Sequence, residues 1–211
     1  MKTSLQKSFL LFGPPSSGKD ALPGFFREKG ARINLFGLGK HLRDLHRQGE
    51  PDGIAAHDLM MKREILPDDL VEHIIDERIR IIGNSDPLFL SGIPRRKSQV
   101  ELITKILSQN GFLRPTVILF DYTPEYCIGR KSKGIEDGTR ENRPDDGCMD
   151  VFKKGLAEFF DSKHAILREC MDKNLEVFTI DDHEKLDHLA YYAHELDISF
   201  FPDAVPEKVS A

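Results

Sequence analysis

Short, nearly continuous apolar runs recur along the chain, each bounded by turn-forming residues: Phe9 to Phe12, Ile33 to Phe36, Leu88 to Leu90, Val117 to Phe120 and Val177 to Ile180. A run that is apolar at successive positions must be covered on both faces, so each predicts a buried strand of a parallel sheet. Longer segments with helical periodicity separate them. The alternation predicts an α/β fold, a five-stranded parallel sheet with helices on both sides. Between the second and third runs, apolar positions at Ile54, Leu59, Ile65, Leu70, Ile74, Ile75 and Ile79 lengthen one crossover enough to carry a helical flap, about residues 38–80. Within it Leu66-Pro67-Asp68-Asp69 reads as a helix start, because proline and carboxylates suit a first turn. From Arg130 to Asp146 the pattern turns polar and glycine-containing, which predicts a mobile surface loop, about residues 131–146. The residues from about Pro202 predict a loose tail.

Composition narrows the class. A chain of 211 residues has room for one domain, 1–211, with small inserted flaps. The net charge of -5 argues against a nucleic-acid binder, which needs a basic face to release counterions. No apolar run approaches the roughly 20 residues that span a bilayer. Lys2 and Lys7 precede only a strand-length run, unlike a signal peptide, so a cytoplasmic location away from membranes is expected. Cys127, Cys148 and Cys170 are widely separated and lack C-x-x-C pairing, so reduced thiols are expected. His41, His46 and His57 read as solvated helix-surface residues rather than metal ligands.

The chemistry begins after the first run. Gly13-Pro14-Pro15-Ser16-Ser17-Gly18-Lys19 fits G-x-x-x-x-G-K. Glycines there let backbone N–H groups point inward at phosphate oxygens, the following helix adds its positive end, and Lys19 supplies a cation for the outer phosphates. Asp20 and Ala21 follow, where a Ser or Thr commonly helps hold Mg²⁺. An inward Asp20 repels a nucleotide, so its carboxylate is expected to point away or to meet Mg²⁺ through water, with no direct protein ligand to the metal. Pro23 forbids a helix starting right at Lys19 and predicts a kinked or late start.

The third run leads into Ser91-Gly92-Ile93-Pro94-Arg95, followed by Gln99. An arginine just past the C-terminal end of a parallel strand sits where such sheets bind ligands, and its planar fork suits phosphate. Gln99 offers a donor and an acceptor to the edge of a base. Gly92-Ile93-Pro94-Arg95 with Gln99 resembles the G-F-P-R-x-x-x-Q of the adenylate kinases and, more broadly, of nucleoside monophosphate kinases. That resemblance implies that Arg95 holds the AMP phosphate and Gln99 recognises adenine. Gly39-Lys40-His41-Leu42-Arg43 is similar to G-D-x-L-R, which makes Arg43 a second phosphate clamp. Leu66-Pro67-Asp68 resembles the L-V-P-D stretch lining the adenine pocket. Val117 to Asp121, Thr123-Pro124-Glu125 and Arg130 resemble the fourth strand and the helix whose arginine packs near the ATP base. Arg143-Pro144-Asp145-Asp146 resembles R-x-D-D, whose arginine reaches the transferring phosphates from a short lid without zinc-binding cysteines. The likeness spans about residues 9–196.

The resemblance implies a P-loop kinase core with a helical flap for the monophosphate and a short lid, acting as a monomer on ATP and AMP with Mg²⁺. The implied ATP site is Gly13, Pro14, Pro15, Ser16, Ser17, Gly18, Lys19, Asp20, Ala21 and Arg130. The implied monophosphate site is Gly39, Arg43, Leu66, Gly92, Arg95 and Gln99, with Lys19, Arg95 and Arg143 as the catalytic cations. Several positions depart from the pattern: Ser91 stands where an aspartate orients the metal's waters, and Lys40 where another aspartate is usual. Leu38 replaces a hydroxyl-bearing residue. Gly155 falls where a further catalytic arginine is expected, and Gly134 near another, with Lys133 or Arg140 as substitutes. The expected activity is ATP + AMP = 2 ADP. Two alternatives stay open: a nucleotide-binding relative with weak or lost transfer, and a P-loop kinase for another small acceptor.

Overall fold

The computed structural model describes residues 5–62, 64–137, 148–181 and 196. Five strands form one parallel sheet: β1 (Ser8–Phe12), β2 (Asn34–Gly37), β3 (Leu88–Ser91), β4 (Thr116–Phe120) and β5 (Val177–Ile180), in the order β2-β3-β1-β4-β5. Each lies within a residue or two of its predicted run. The first strand sits at the centre, with Leu10 opposite both Leu90 and Val117. Its residues alternate between two cores, as a pleat of period two requires. Leu10 and Phe12 face a cluster with Leu88, Leu90, Val117 and Leu119, and Phe9 and Leu11 face one with Phe89, Ile118 and Phe120. On that second side Phe9 and Phe89 stack with centroids 4.6 Å apart.

Seven helices cover the sheet among the described residues: α1 (Leu22–Glu28), α2 (Leu38–Gln48), α3 (Pro51–Met61), α4 (Asp68–Ile82), α5 (Ser98–Gln109), α6 (Pro124–Glu136) and α7 (Met149–Asp172). The expected delay after Lys19 is present, because a single 3-10 turn, Lys19–Ala21, precedes α1 and puts Pro23 in the first helical turn. The crossover after β2 is helical throughout its elements. Its α2 and α3 approach so closely that a Cβ at Gly53 would fall 2.1 Å from the His46 nitrogen, and His46 and His57 stack at 3.7 Å. Leu66-Pro67 leads into α4 at Asp68, as the helix-start pattern predicts.

The loop expected over 131–146 is corrected at its start. Helix α6 continues to Glu136, opened by Thr123, whose hydroxyl accepts from the Tyr126 N–H at 3.3 Å. The misreading has a physical cause in Lys131. This polar-looking residue is 2% exposed, with its ammonium 4.6 Å from the Phe152 ring centroid, so it belongs to the buried face of a helix. The expected loop from residue 138 to 146 and the tail from Pro202 lie outside the described residues. Among the described residues no helix is long and apolar enough to cross a membrane.

Candidate functional site: a cleft at the C-terminal edge of the sheet

The loop after β1 and the turn after β3 leave neighbouring parallel strands at the same end, so the two motifs arrive side by side. Gly13 is required where it stands: a Cβ would meet the Phe120 Cβ at 2.7 Å. Gly18 adopts φ +86, and a Cβ there would lie 2.3 Å from the Arg130 guanidinium. Arg130 is thereby set over the loop, donating to the Ser17 carbonyl at 3.3 Å. Ser17 is fully buried, and its hydroxyl has no hydrogen-bond partner among the described residues. The Lys19 ammonium reaches back across the loop to donate to the Pro14 carbonyl at 3.1 Å.

A cleft of about 120 Å³ brings Gly13, Pro15 and Lys19 from the loop together with Gly92 and Arg95. Its far wall is α7, through Gly155, Glu158, Phe159 and Ser162. These four recur at helical spacing and so share one face. Phe159 also packs on Phe12, with ring centroids 5.0 Å apart. Of the α7 wall, sequence reasoning reached only Gly155. The signal available for the others was the i+3, i+4, i+7 spacing from that glycine.

Asp20 lines neither cavity. Its carboxylate turns to the end of β3 and accepts a hydrogen bond from the Ser91 hydroxyl. Ser91 is 5% exposed, and Asp20 is its polar partner there. The two residues that depart from the expected pattern on separate motifs therefore meet.

Beside the cleft lies a smaller pocket lined by Leu38, Gly39, Leu42, Met60, Glu64, Ile65, Leu66, Val71, Gly92, Arg95 and Gln99. It joins the flap to the turn after β3 and encloses about 20 Å³, room for a water and smaller than a purine. Gln99 is 2% exposed at its wall. Its carbonyl oxygen accepts from the Arg95 backbone N–H at 2.7 Å, and its amide nitrogen donates to Asp68 at 3.1 Å. Arg43, on α2, lines neither cavity; its guanidinium folds back toward Gly39, where a Cβ would lie 3.5 Å from it. Asp44 on the same helix pairs with Lys40 at 2.7 Å and with Arg47, and the Lys40 hydrogen bond holds its carboxyl below the usual range. Burial, then the charge of Arg78, lowers the His41 pKa.

Pro14, Ser16 and Ala21 belong to the loop and its 3-10 turn without lining either cavity. Arg143, assigned to the lid, lies outside the described residues, as does Arg140. Lys133 is on the exposed last turn of α6. Among the described residues no three His, Cys, Asp or Glu side chains gather as a metal site.

Sequence comparison points to one family. An adenylate kinase of Parvibaculum lavamentivorans is 32% identical over 145 residues, covering 69% of this chain and 70% of that protein. The chain belongs to the adenylate kinase family. An adenylate kinase of Prochlorococcus marinus is 29% identical across 81% of this chain and 100% of its own length. One from Methylorubrum populi is 28% identical across 70% and 74%. No family model matches the chain. Membership makes this adenylate kinase relative a phosphotransferase, with its parallel sheet as the core.

Proposed function

We propose that the chain transfers a phosphoryl group from ATP to AMP, forming two ADP. The observation that carries this reading is the meeting of Lys19 and Arg95 across one cleft, with buried Gln99 in the adjoining pocket. In-line transfer asks for alignment and charge neutralisation, and the parts serve those needs. The loop from Gly13 to Lys19 holds the outer phosphates of ATP, with Arg130 over the loop toward the ATP base. Arg95 holds the acceptor phosphate, and Arg43 joins it once its side chain swings off Gly39. Arg143 closes from the lid. Gly39 and Leu66 border the base, and Gln99 meets its edge. Because the base pocket is smaller than a purine, the flap of α2 and α3 opens to admit AMP. Closing again excludes water, which would otherwise take the phosphoryl group.

The Asp20 carboxylate and Ser91 hydroxyl present oxygen atoms together at the end of β3, a chemistry that suits the bound waters of a hard divalent cation. Mg²⁺ bound there with ATP would neutralise charge on the outer phosphates. The reading includes a cytoplasmic monomer working on free nucleotides.

A second reading, nucleotide binding with weak transfer, draws on α7. Gly155 brings no side chain to the cleft wall, and Glu158 adds a negative charge there. Each charge-stabilising donor is worth about 3 to 4 kcal/mol to a transition state, so a missing one slows transfer heavily. The deciding experiment is a coupled assay with Mg-ATP and a panel of monophosphates, run beside Arg95→Ala. The expected result is AMP-dependent ADP formation that falls about 10²-fold or more in the variant. ATP binding without any AMP-dependent ADP would sink the kinase reading and leave the second.

A further inference from the structure

We propose that Asp68 is a specificity-determining positioning residue: it locks the Gln99 amide in one orientation, so that the pocket accepts 6-aminopurine monophosphates and rejects 6-oxopurine ones. The inference rests on the reading of Gln99 as the residue that meets the base.

The two ends of a glutamine amide are nearly the same shape, and rotation about the last bond exchanges an acceptor for a donor. A 6-aminopurine offers at its edge an amino donor beside a ring-nitrogen acceptor. A 6-oxopurine offers the reverse, a carbonyl acceptor beside a ring N–H donor. An amide able to turn over serves either. Selectivity at this edge therefore requires something that forbids turning.

Two partners of opposite kind surround Gln99. The Arg95 backbone N–H, which can only donate, meets its oxygen at 2.7 Å, and the Asp68 carboxylate, an acceptor when ionised, meets its nitrogen at 3.1 Å. Turning the amide over would set N–H against N–H and carbonyl against carboxylate. Gln99 is 2% exposed, so the clash against the Arg95 N–H is shielded from bulk water, while the Asp68 carboxylate, 37% exposed, is kept facing the amide by the Ser98 hydroxyl.

Asp68 is itself held from several sides. The Ser98 hydroxyl donates to its second oxygen at 2.7 Å, and the Arg96 guanidinium lies 3.6 Å from its first, an ion pair too long for a hydrogen bond. Arg96 is anchored in turn on the Leu66 carbonyl at 3.0 Å. As the first residue of α4, Asp68 also faces the positive end of that helix. One amide hydrogen and one lone pair of Gln99 remain for a ligand, in a fixed order, at a pocket walled by Leu38, Leu42, Leu66 and Val71. A base gripped by those walls, with its phosphate held at Arg95, has no room to reverse end for end.

The test is calorimetric binding of AMP and IMP, which differ at this edge, to the full chain, to Asp68→Asn and to Gln99→Ala. Asparagine keeps the shape of the aspartate but donates as well as accepts, which removes one of the two constraints on the amide. Wild type is expected to prefer AMP about 100-fold. In Asp68→Asn that preference should fall about tenfold, chiefly through tighter IMP binding. Asp68→Ser, which keeps a residue suited to a helix start, should move the same way if the asparagine variant folds poorly. Equal weakening of AMP and IMP, with the preference unchanged, would show that Asp68 only supports α4 and would overturn the proposal. A preference lost in Gln99→Ala but intact in both Asp68 variants overturns it as well, while leaving Gln99 as the base reader. Wild type without preference, or Gln99→Ala with its preference intact, overturns the reading of Gln99 and this inference with it.

Discussion

The smaller pocket and the cleft lie side by side and share Ile65, Gly92 and Arg95, yet they are held together differently. Around the pocket the buried Gln99 amide is satisfied at both ends and Ser98 steadies Asp68, although the buried Arg96 Nε, 3.6 Å from Asp68, has no hydrogen-bond partner among the described residues. In the cleft, Lys19 leans on its own loop, Ser91 and Asp20 satisfy one another, and the α7 wall presents Gly155 and Glu158 in place of a cation. Recognising a monophosphate needs a pre-organised surface, whereas transferring a phosphoryl group needs positive charge at the moment of reaction. Among the described residues the first requirement is met more fully than the second.

The contrast breaks most readily at Lys19. Lys19→Met should lower the turnover of ADP formation about 10²- to 10³-fold while leaving AMP affinity, measured by calorimetry, within about twofold. Loss of AMP binding in the same variant would mean that the two regions are one. Gln99→Ala attacks from the other side. It strands the Arg95 N–H in a buried site, and should weaken AMP binding about 10- to 100-fold with ATP affinity unchanged.

Restoring charge sharpens the comparison. Gly155→Arg places a guanidinium on the cleft face of α7, with Glu158 three residues on to steady it, and should raise turnover about tenfold without changing AMP affinity. An unchanged rate would show that the glycine is not what limits transfer.

Smaller effects come from the thiols. Burial raises both Cys127, beneath the loop side, and Cys170, in the opposite core, to a pKa of about 11. At pH 8 a thiol reagent should therefore label exposed Cys148 first. Mg-ATP should slow the later labelling of Cys127 a few-fold and leave Cys170 unaffected, if nucleotide stabilises the loop side selectively. Equal slowing of both would mean that the cores open together.

The smallest effect concerns pH and the flap. The lowered pKa of His41 means that the folded state prefers the neutral imidazole, so as pH falls below the ordinary 6.5 the unfolded chain takes up the proton first. That contribution to stability is present at pH 8 and is lost as pH drops through the window below 6.5. The urea midpoint should decline from pH 8 to 5.5 slightly more in wild type than in His41→Gln. Parallel declines would assign the pH dependence to other groups.

The strands, the loop after β1, the late start of α1 and the start of α4 were readable along the chain, because each depends on neighbours a few residues away. Apolar runs such as Leu88 to Leu90 must be buried wherever they go, and Pro23 restricts its own turn in any context. The motif carrying Arg95 and Gln99 was likewise local. Lys131 was not readable, since a lysine reports its polarity but not the Phe152 ring that accepts its charge. Nor were Glu158, Phe159 and Ser162, which become cleft residues only when α7 turns that face to the loop.

Sequence alone determined the parallel α/β core, the glycine-bearing loop after β1 and the Arg95 to Gln99 stretch after β3, because periodicity and spacing are properties of a single segment. Tertiary structure decided the partnerships. Asp20 meets Ser91 across 71 residues of chain, and Gln99 meets Asp68 across 31. Each pairing exists only because the sheet register and the docking of the flap bring separate segments to one end of the strands. A carboxylate read as a threat to the nucleotide thus acquires a hydroxyl partner, and a helix-start aspartate becomes the group that meets the Gln99 amide.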